Sequence, residues 1–285
     1  MSQEINSLSR LVSLGDKDFH RLSTFIMSHC GIKLPPAKKT LVQCRLQKRL
    51  KAYNMINFSD YIDFLFSSAG REQELSNMID EISTNKTDFF REPIHFDFLS
   101  QTGLNEYLSK TGKRRISVWS AGCSSGEEPY TIAMVLKEYA RLEHYIDFNI
   151  TATDISTRVL HLGMQGIYHE NKASVIPNTL KKEYFQKGKN SFIQQVRVHP
   201  DLRRTVDFQK FNLLSSDYTR FGMFDIIFCR NVLIYFERAV QCRILNKLCN
   251  QLNSGGYLFL GHSETTMGFA LPLKTIRPSI FNKLD

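Results

Sequence analysis

Two acidic residues, Glu127 and Glu128, follow a loop of small residues in the run ISVWSAGCSSGEEPYTIAMVL. The order is strand-like, then loop, then helix-like. Gly122, Ser124, Ser125 and Gly126 let the backbone turn tightly against a ligand and leave amide groups free at the helix start. The two carboxylates would repel a pyrophosphate and favour a ligand carrying an ammonium or sulfonium. The glycine spacing is also not the G-x-G-x-x-G of dinucleotide sites. One strand-helix-strand unit downstream, DFNITATDIS ends a second strand in Asp154. A carboxylate at that tip can accept both ribose hydroxyls of an adenosine. The apolar run FDIIFCRNVLIYF ends in Cys229, Arg230 and Asn231, which places Asn231 at the carboxyl edge of a sheet, and LNSGGYLFLGHSE adds a glycine turn and a further strand. Four such elements in this order favour S-adenosylmethionine over a dinucleotide or a nucleoside triphosphate.

Those side chains need a sheet to carry them. From about residue 112 onward, short β-rich runs (RISVWSAG, DFNITATD, VDFQKFNLL, FDIIFCRN, GYLFLGHS) alternate with helical patterns. That alternation predicts a largely parallel sheet with helices on both faces. Residues 11–81 are instead amphipathic helices separated by Pro, Gly or Asn breaks. Residues 1–10 are expected to be a flexible terminus, and 82–99 (ISTNKTDFFREPIHFDFL) a connector that contributes to the cofactor site. Residues 170–205 break the alternation with a short helix, Gly-Lys-Asn and the run FIQQVRV, which fits a small antiparallel excursion within a domain spanning 100–285. No internal repeat or heptad array is found.

The charge is uneven. Of 285 residues, 37 are Lys or Arg and 28 Asp or Glu, giving a formal net charge of +9. No acidic residue lies between Asp18 and Asp60, a stretch that carries Arg21, Lys33, Lys38, Lys39, Arg45, Lys48, Arg49 and Lys51. In the helix expected over AKKTLVQCRLQKRLKAYN, Val42, Leu46, Leu50 and Tyr53 form an apolar stripe with Lys38, Arg45 and Arg49 beside it, flanked by Lys48. A solvated face is the ordinary meaning of such a run; the missing acidic partners favour a docking surface for an acidic partner, protein or nucleic acid.

A hydrophobic fraction of 42% with 23% charged residues belongs to globular chains and excludes collagenous or largely disordered classes. No apolar run approaches the ~18 residues of a membrane span, and MSQEINSLSR lacks the order of a secretory signal, so a cytoplasmic protein without membrane insertion is expected. The six cysteines form no C-x-x-C pair, which favours reduced structural thiols and no metal.

The basic helical region, TNKTDFFRE, VWSAGCSSGEEPY, ATDIS, FNLL, FCRNVLIYF and GGYLFLGHSE together resemble the CheR family of chemotaxis-receptor glutamate O-methyltransferases over nearly the whole chain. The resemblance implies an α/β, Rossmann-like S-adenosylmethionine-dependent methyltransferase domain with a small antiparallel β-subdomain, preceded by an all-helical N-terminal domain. It implies methyl transfer to glutamates on the cytoplasmic helices of methyl-accepting receptors, by a monomer. It places Asn85, Thr87 and Arg91 at the cofactor, Glu128 at its methionine end, Asp154 at the ribose, Asn212 and Leu213 near the adenine, and Arg230 and Asn231 at the strand tip. Tyr235, with Arg91, is the implied positioner of the incoming carboxylate, and the basic helix (Lys38, Arg45, Lys48, Arg49) the receptor-facing surface. In some members the β-subdomain grips a peptide tether; here GKNSFIQQ holds a single glycine where that loop is glycine-rich, which argues against a tether.

The chemistry agrees. A glutamate carboxylate has an ordinary pKa of ~4.3 and attacks without a general base, so no Ser-His-Asp or Cys-His arrangement is needed. A nucleic-acid methyltransferase is the first rival, but the chain lacks the Asn/Asp-Pro-Pro-aromatic and Pro-Cys signatures of such enzymes. A non-catalytic module that binds cofactor or receptor is the second.

Overall fold

The computed structural model describes residues 11–142 and 146–285; the expected flexible terminus, 1–10, lies outside the described residues. The chain divides into two compact units after Thr84.

The first unit is helical: α1 (Asp16–Cys30), α2 (Lys39–Ala52), α3 (Phe58–Phe66), α4 (Ser68–Gln73) and α5 (Leu75–Ile82). Pro36 opens a short 3-10 turn whose end runs into α2, as expected for a residue that has no N–H to contribute and a fixed φ. Asn57 caps α3 by accepting the Asp60 N–H, and Ser67 caps α4 in the same way with Gly70. Phe19, Leu22, Ile26, Val42, Leu46, Leu50, Tyr61, Ile62 and Met78 are buried in this unit.

The second unit begins at Asn85, so residues 85–99 are packed with it. After α6 (Ile94–Phe98), a π-helical turn (Leu99–Gly103) and α7 (Leu104–Thr111), strands alternate with helices: β1 (Arg115–Ala121), α8 (Glu127–Leu142), β2 (Asp147–Asp154), α9 (Thr157–Gln165). Beyond an insertion come β6 (Val206–Lys210), β7 (Phe224–Cys229), α12 (Arg238–Asn250), β8 (Leu252–Leu260), β9 (Leu273–Arg277) and β10 (Ile280–Lys283). The sheet order is β6-β2-β1-β7-β8-β10-β9. The first five strands are parallel, and β10 runs antiparallel to both of its neighbours, β8 and β9. Every residue of β7 is buried, as a central parallel strand covered on both faces requires. The reversal of strand order lies between β1 and β7, and the carboxyl ends of strands at such a reversal are where open α/β sheets bind ligands.

The insertion holds β3 (Ile167–His169), α10 (Asn178–Tyr184), β4 (Phe185–Lys187), β5 (Gln195–Val198) and α11 (Pro200–Arg203). Its strands form a separate antiparallel sheet, β3-β5-β4. The run FIQQVRV is only half strand: Asn190–Phe192 is a 3-10 turn and pairing starts at Gln195. No described helix is long and apolar enough to cross a membrane.

Candidate active site

The loop after β1 folds back onto the tip of β2. The Gly122 and Cys123 amides both donate to the Thr153 carbonyl (2.8 and 2.9 Å), and the Ser124 amide donates to Asp154 Oδ2 (2.9 Å). The expectation of free loop amides is therefore corrected for Gly122 and Ser124, whose N–H groups the tip of the neighbouring strand uses. Gly122 has φ +86°, and a Cβ there would lie 2.6 Å from Val232 Cγ2, so the loop needs glycine to pass the turn after β7.

Asp154 is buried at the tip of β2, its second oxygen accepting the Ser156 N–H (2.9 Å). Two backbone amides thus orient its carboxylate. The Asp154 carbonyl accepts Phe211 N–H (2.9 Å), which brings the turn with Asn212 and Leu213 alongside. Asn212 Oδ1 accepts the Leu214 N–H (3.0 Å), and Leu213 is buried. On the other side the Asn85 carbonyl accepts the Ser124 hydroxyl (3.2 Å).

Glu127 and Glu128 part company at the start of α8. Glu127 is fully buried, bonded by Ser125 Oγ (2.7 Å) and by Lys172. It therefore does not face the crevice as a free charge, which corrects the expectation for this residue. Glu128 accepts Ser120 Oγ (2.7 Å) on β1 and Arg230 Nη1 (2.9 Å) just past β7.

Arg230 is the hub. It also reaches Glu92 Oε2 at 3.1 Å and the Arg91 carbonyl, and its guanidinium carbon lies 5.4 Å from the centre of the Phe96 ring. Glu92 further accepts Asn231 Nδ2 (3.3 Å). Burial alone would raise the Glu92 carboxyl, but the adjacent guanidinium and the Asn231 and His262 donors outweigh it and hold it below the usual carboxylate range. Arg91 sends its own Nη1 to the Lys86 carbonyl (3.0 Å), and Thr87 is half-buried in the same segment. Tyr235 is half-buried in the 3-10 turn Leu233–Tyr235, on the chain that leaves β7. Asn231 takes φ +58°, unusual for a residue with a side chain.

Glu92, His95 and His262 bring one donor atom each within 4.8 Å of one another. The guanidinium 3.1 Å from the Glu92 carboxylate already supplies a positive charge there, so the trio makes a poor cation site. Burial and then Arg230 push the His95 ring down to about 4, so it is neutral. The thiols of Cys123 and Cys229 are pushed well up by burial, which removes both as thiolate nucleophiles.

Two donors at this edge, Asn85 Nδ2 and Arg230 Nε, are buried and have no hydrogen-bond partner among the described residues. Both call for an acceptor. The carboxylate, ribose and adenine of S-adenosylmethionine are rich in acceptors, so the residues present fit that cofactor.

The family model described as CheR methyltransferase, SAM binding domain, matches residues 85–278, and the model described as CheR methyltransferase, all-alpha domain, matches residues 17–83. The chain belongs to the CheR methyltransferase family. It is 40% identical over 289 aligned residues to the chemotaxis protein methyltransferase of Borreliella burgdorferi, covering 99% of this chain and 100% of that one. To the chemotaxis protein methyltransferase of Escherichia coli it is 38% identical over 258 residues, 90% of this chain and 87% of that one. Among solved structures, the plantazolicin methyltransferase BpumL in complex with SAH aligns at a TM-score of 0.33 and 14% identity, over 77% of this chain and 61% of that one. This CheR chain is thus an S-adenosylmethionine-dependent methyltransferase of chemotaxis, and the family's reaction is esterification of receptor glutamates.

The four expected docking residues lie in the helical unit and fare unequally. Arg49 makes a two-pronged bond to Glu74 (Nε 2.7 Å, Nη2 2.5 Å), whose carboxylate is fully buried and also accepts Tyr61 (2.8 Å). Arg45 caps the end of α5 through the Ile82 and Ser83 carbonyls (2.9 and 3.1 Å). Both are inward groups, which corrects the outward assignment. Lys48 is exposed and pairs with Glu81 at 2.5 Å; Lys38 is half-buried. The acids missing from the local sequence arrive from α5 and the residue before it.

Glu92 and Glu264 were not singled out from the sequence. Each ends a motif, Glu92 closing TNKTDFFRE next to Arg91 and Glu264 closing GGYLFLGHSE, but the sequence does not give the groups that either one meets.

Proposed function

We propose that the crevice at the carboxyl edge of β1, β2 and β7 holds S-adenosylmethionine, and that this chain transfers its methyl group to glutamate side chains of chemotaxis receptors in the cytoplasm, acting as a monomer. The observation that carries the site assignment is the pair of buried, unpartnered donors, Asn85 Nδ2 and Arg230 Nε, flanking the carboxylates of Asp154 and Glu128.

Asp154 accepts the ribose hydroxyls, Asn85 donates to the cofactor, Asn212 and Leu213 border the adenine, and Glu128 receives the ammonium end. Thr87 lines the same edge. When bound, the cofactor supplies an electrophilic methyl carbon on a sulfonium. Arg230 between Glu92 and Glu128 leaves one net negative charge on that triad, which suits a cofactor of net positive charge. Arg91 and Tyr235 orient the incoming carboxylate, which is already ionised. The remaining tasks are alignment and exclusion of water, since charge disappears as the neutral ester forms.

For receptor docking, the exposed row of α2, namely Lys48 and Lys51 with Lys38 near its start, supplies the cations, and Arg45 and Arg49 hold the helix that presents them. The β-subdomain, with its single-glycine loop, works without a receptor tether, and nucleic acid is not a substrate.

Tritiated S-adenosylmethionine and receptor-containing membranes test the reading. Label in receptor that is released as methanol by base is the expected outcome; label in nucleic acid, or none, overturns it.

A further inference from the structure

Past the tips of β7 and β8, neighbouring parallel strands that end paired at Cys229 and Leu260, the backbone must dispose of several buried N–H groups. Glu264 takes four of them. Its Oε2 accepts Asn231 N–H (2.9 Å) and Gly261 N–H (2.6 Å), and its Oε1 accepts Val232 N–H (2.9 Å) and Leu233 N–H (2.6 Å). Three are consecutive along the turn that leaves β7, a concave set of amides closed by one buried carboxylate. The fit is tight: a Cβ on Gly261 would lie 2.4 Å from Asn231 Nδ2 and 2.8 Å from the Asn231 amide.

That turn carries Arg230, Asn231 and Tyr235. With its three N–H groups fixed, Asn231 is held at φ +58°, from which its side chain meets Glu92 and the preceding Arg230 spans Glu92 and Glu128. Released from Glu264, the three N–H groups would lose the acceptor that fixes them, and the 231–233 segment would relax toward ordinary dihedrals, moving Arg230 off its two carboxylates.

We infer that Glu264 is a positioning residue of the methyl-transfer site, setting the backbone from which Arg230, Asn231 and Tyr235 act while touching neither cofactor nor receptor itself. The inference rests on the cofactor crevice proposed above. It assigns to a buried acid beyond the last parallel strand a share of the transition-state geometry, where a misplacement of ~1 Å can cost on the order of 100-fold in rate.

The test uses the full chain with Glu264→Gln and Glu264→Asp. In Glu264→Gln, an amide group faces two N–H donors whichever way it turns; Glu264→Asp keeps both acceptors one methylene short. Binding of S-adenosylhomocysteine is measured by calorimetry, turnover on receptor-containing membranes, and amide exchange at residues 231–233, all below the melting range of each variant. The expected result is a kcat ordered wild type, Asp, Gln, a fall for Gln on the order of 100-fold, weaker cofactor binding, faster exchange at 231–233, and an unchanged receptor KM. A folded Gln variant with kcat and cofactor affinity within about twofold of wild type overturns the inference, as does a change confined to receptor KM. Should Gln fail to fold, the same criteria apply to Asp. Failure of the wild-type chain to bind S-adenosylhomocysteine would instead remove the crevice assignment, a distinct outcome.

Discussion

His95 shows how a single buried side chain can set a pH limit. Its ring is fully buried, neither nitrogen has a hydrogen-bond partner among the described residues, and burial with Arg230 nearby lowers its pKa to about 4. The unfolded chain binds a proton on this ring below ~6.5, whereas the folded chain does not until about 4. Stability should therefore fall as pH drops from about 6.5 toward 4, by an upper limit of roughly 3 kcal/mol. His95→Phe removes a group that makes no hydrogen bond and keeps an aromatic ring against Phe259. It should cost little at pH 7.5 and flatten the acid loss, which melting temperatures between pH 4.5 and 7.5 will show; parallel curves for the two proteins would refute this account. At the cofactor end, Asp154→Ala removes a charged acceptor, a change worth about 1.5–3 kcal/mol, and should weaken S-adenosylhomocysteine binding by ~10- to 100-fold. Because Asp154 also anchors the Ser124 and Ser156 amides, the melting temperature must be read alongside. A folded variant with unchanged affinity would take Asp154 out of the site.

Among the elements, α2 separates what local pattern reveals from what it hides. Of the expected stripe Val42, Leu46, Leu50 and Tyr53, the first three are buried as periodicity requires while Tyr53, at the C-cap, is half-buried, and the helix lies where the prolines and spacing put it. Charge pairing is different, because Arg49 meets Glu74 and Lys48 meets Glu81 only once α5 has packed against α2. A count of acids along 19–59 cannot see partners that far away in sequence. The two pairs should also answer mutation differently. Removing Arg49 strands the fully buried Glu74 carboxylate, so Arg49→Ala should destabilise the helical unit by about 3–5 kcal/mol in denaturant unfolding. Lys48 and Lys51 are exposed, and Lys48→Glu with Lys51→Glu should leave stability within about 1 kcal/mol while raising receptor KM. An Arg49→Ala protein as stable as wild type would show that the buried pair contributes nothing. The strand tips tell a similar story. Asp154, Arg230 and Asn231 were legible because a strand pattern fixes which residue ends it. Glu92 and Glu264 were not, since loops carry them and only the folded backbone reveals that Glu92 meets Arg230 and that Glu264 gathers amides from the turns beyond two strands.

At the scale of the whole chain, a net charge of +9 meets two ligands with opposite demands. In the proposed site the cofactor, a small cation, sits among the partly buried carboxylates of Glu128 and Asp154, where salt screens weakly. The proposed receptor-docking row consists of exposed lysines, where screening acts over ~10 Å at 0.1 M salt. Ionic strength should therefore separate the two steps. Raising salt from about 50 to 300 mM should increase receptor KM severalfold, mainly through slower encounter. Over the same range the dissociation constant for S-adenosylhomocysteine should move by less than about twofold, because its contacts lie in the crevice. The double variant Lys48→Glu, Lys51→Glu should show the higher KM already at low salt and a shallower salt slope, since the charges being screened are gone. Initial-rate measurements on receptor-containing membranes, paired with calorimetry on the same protein, decide the matter. Salt curves that rise together for both ligands would mean that the cationic row and the crevice are not separate recognition elements.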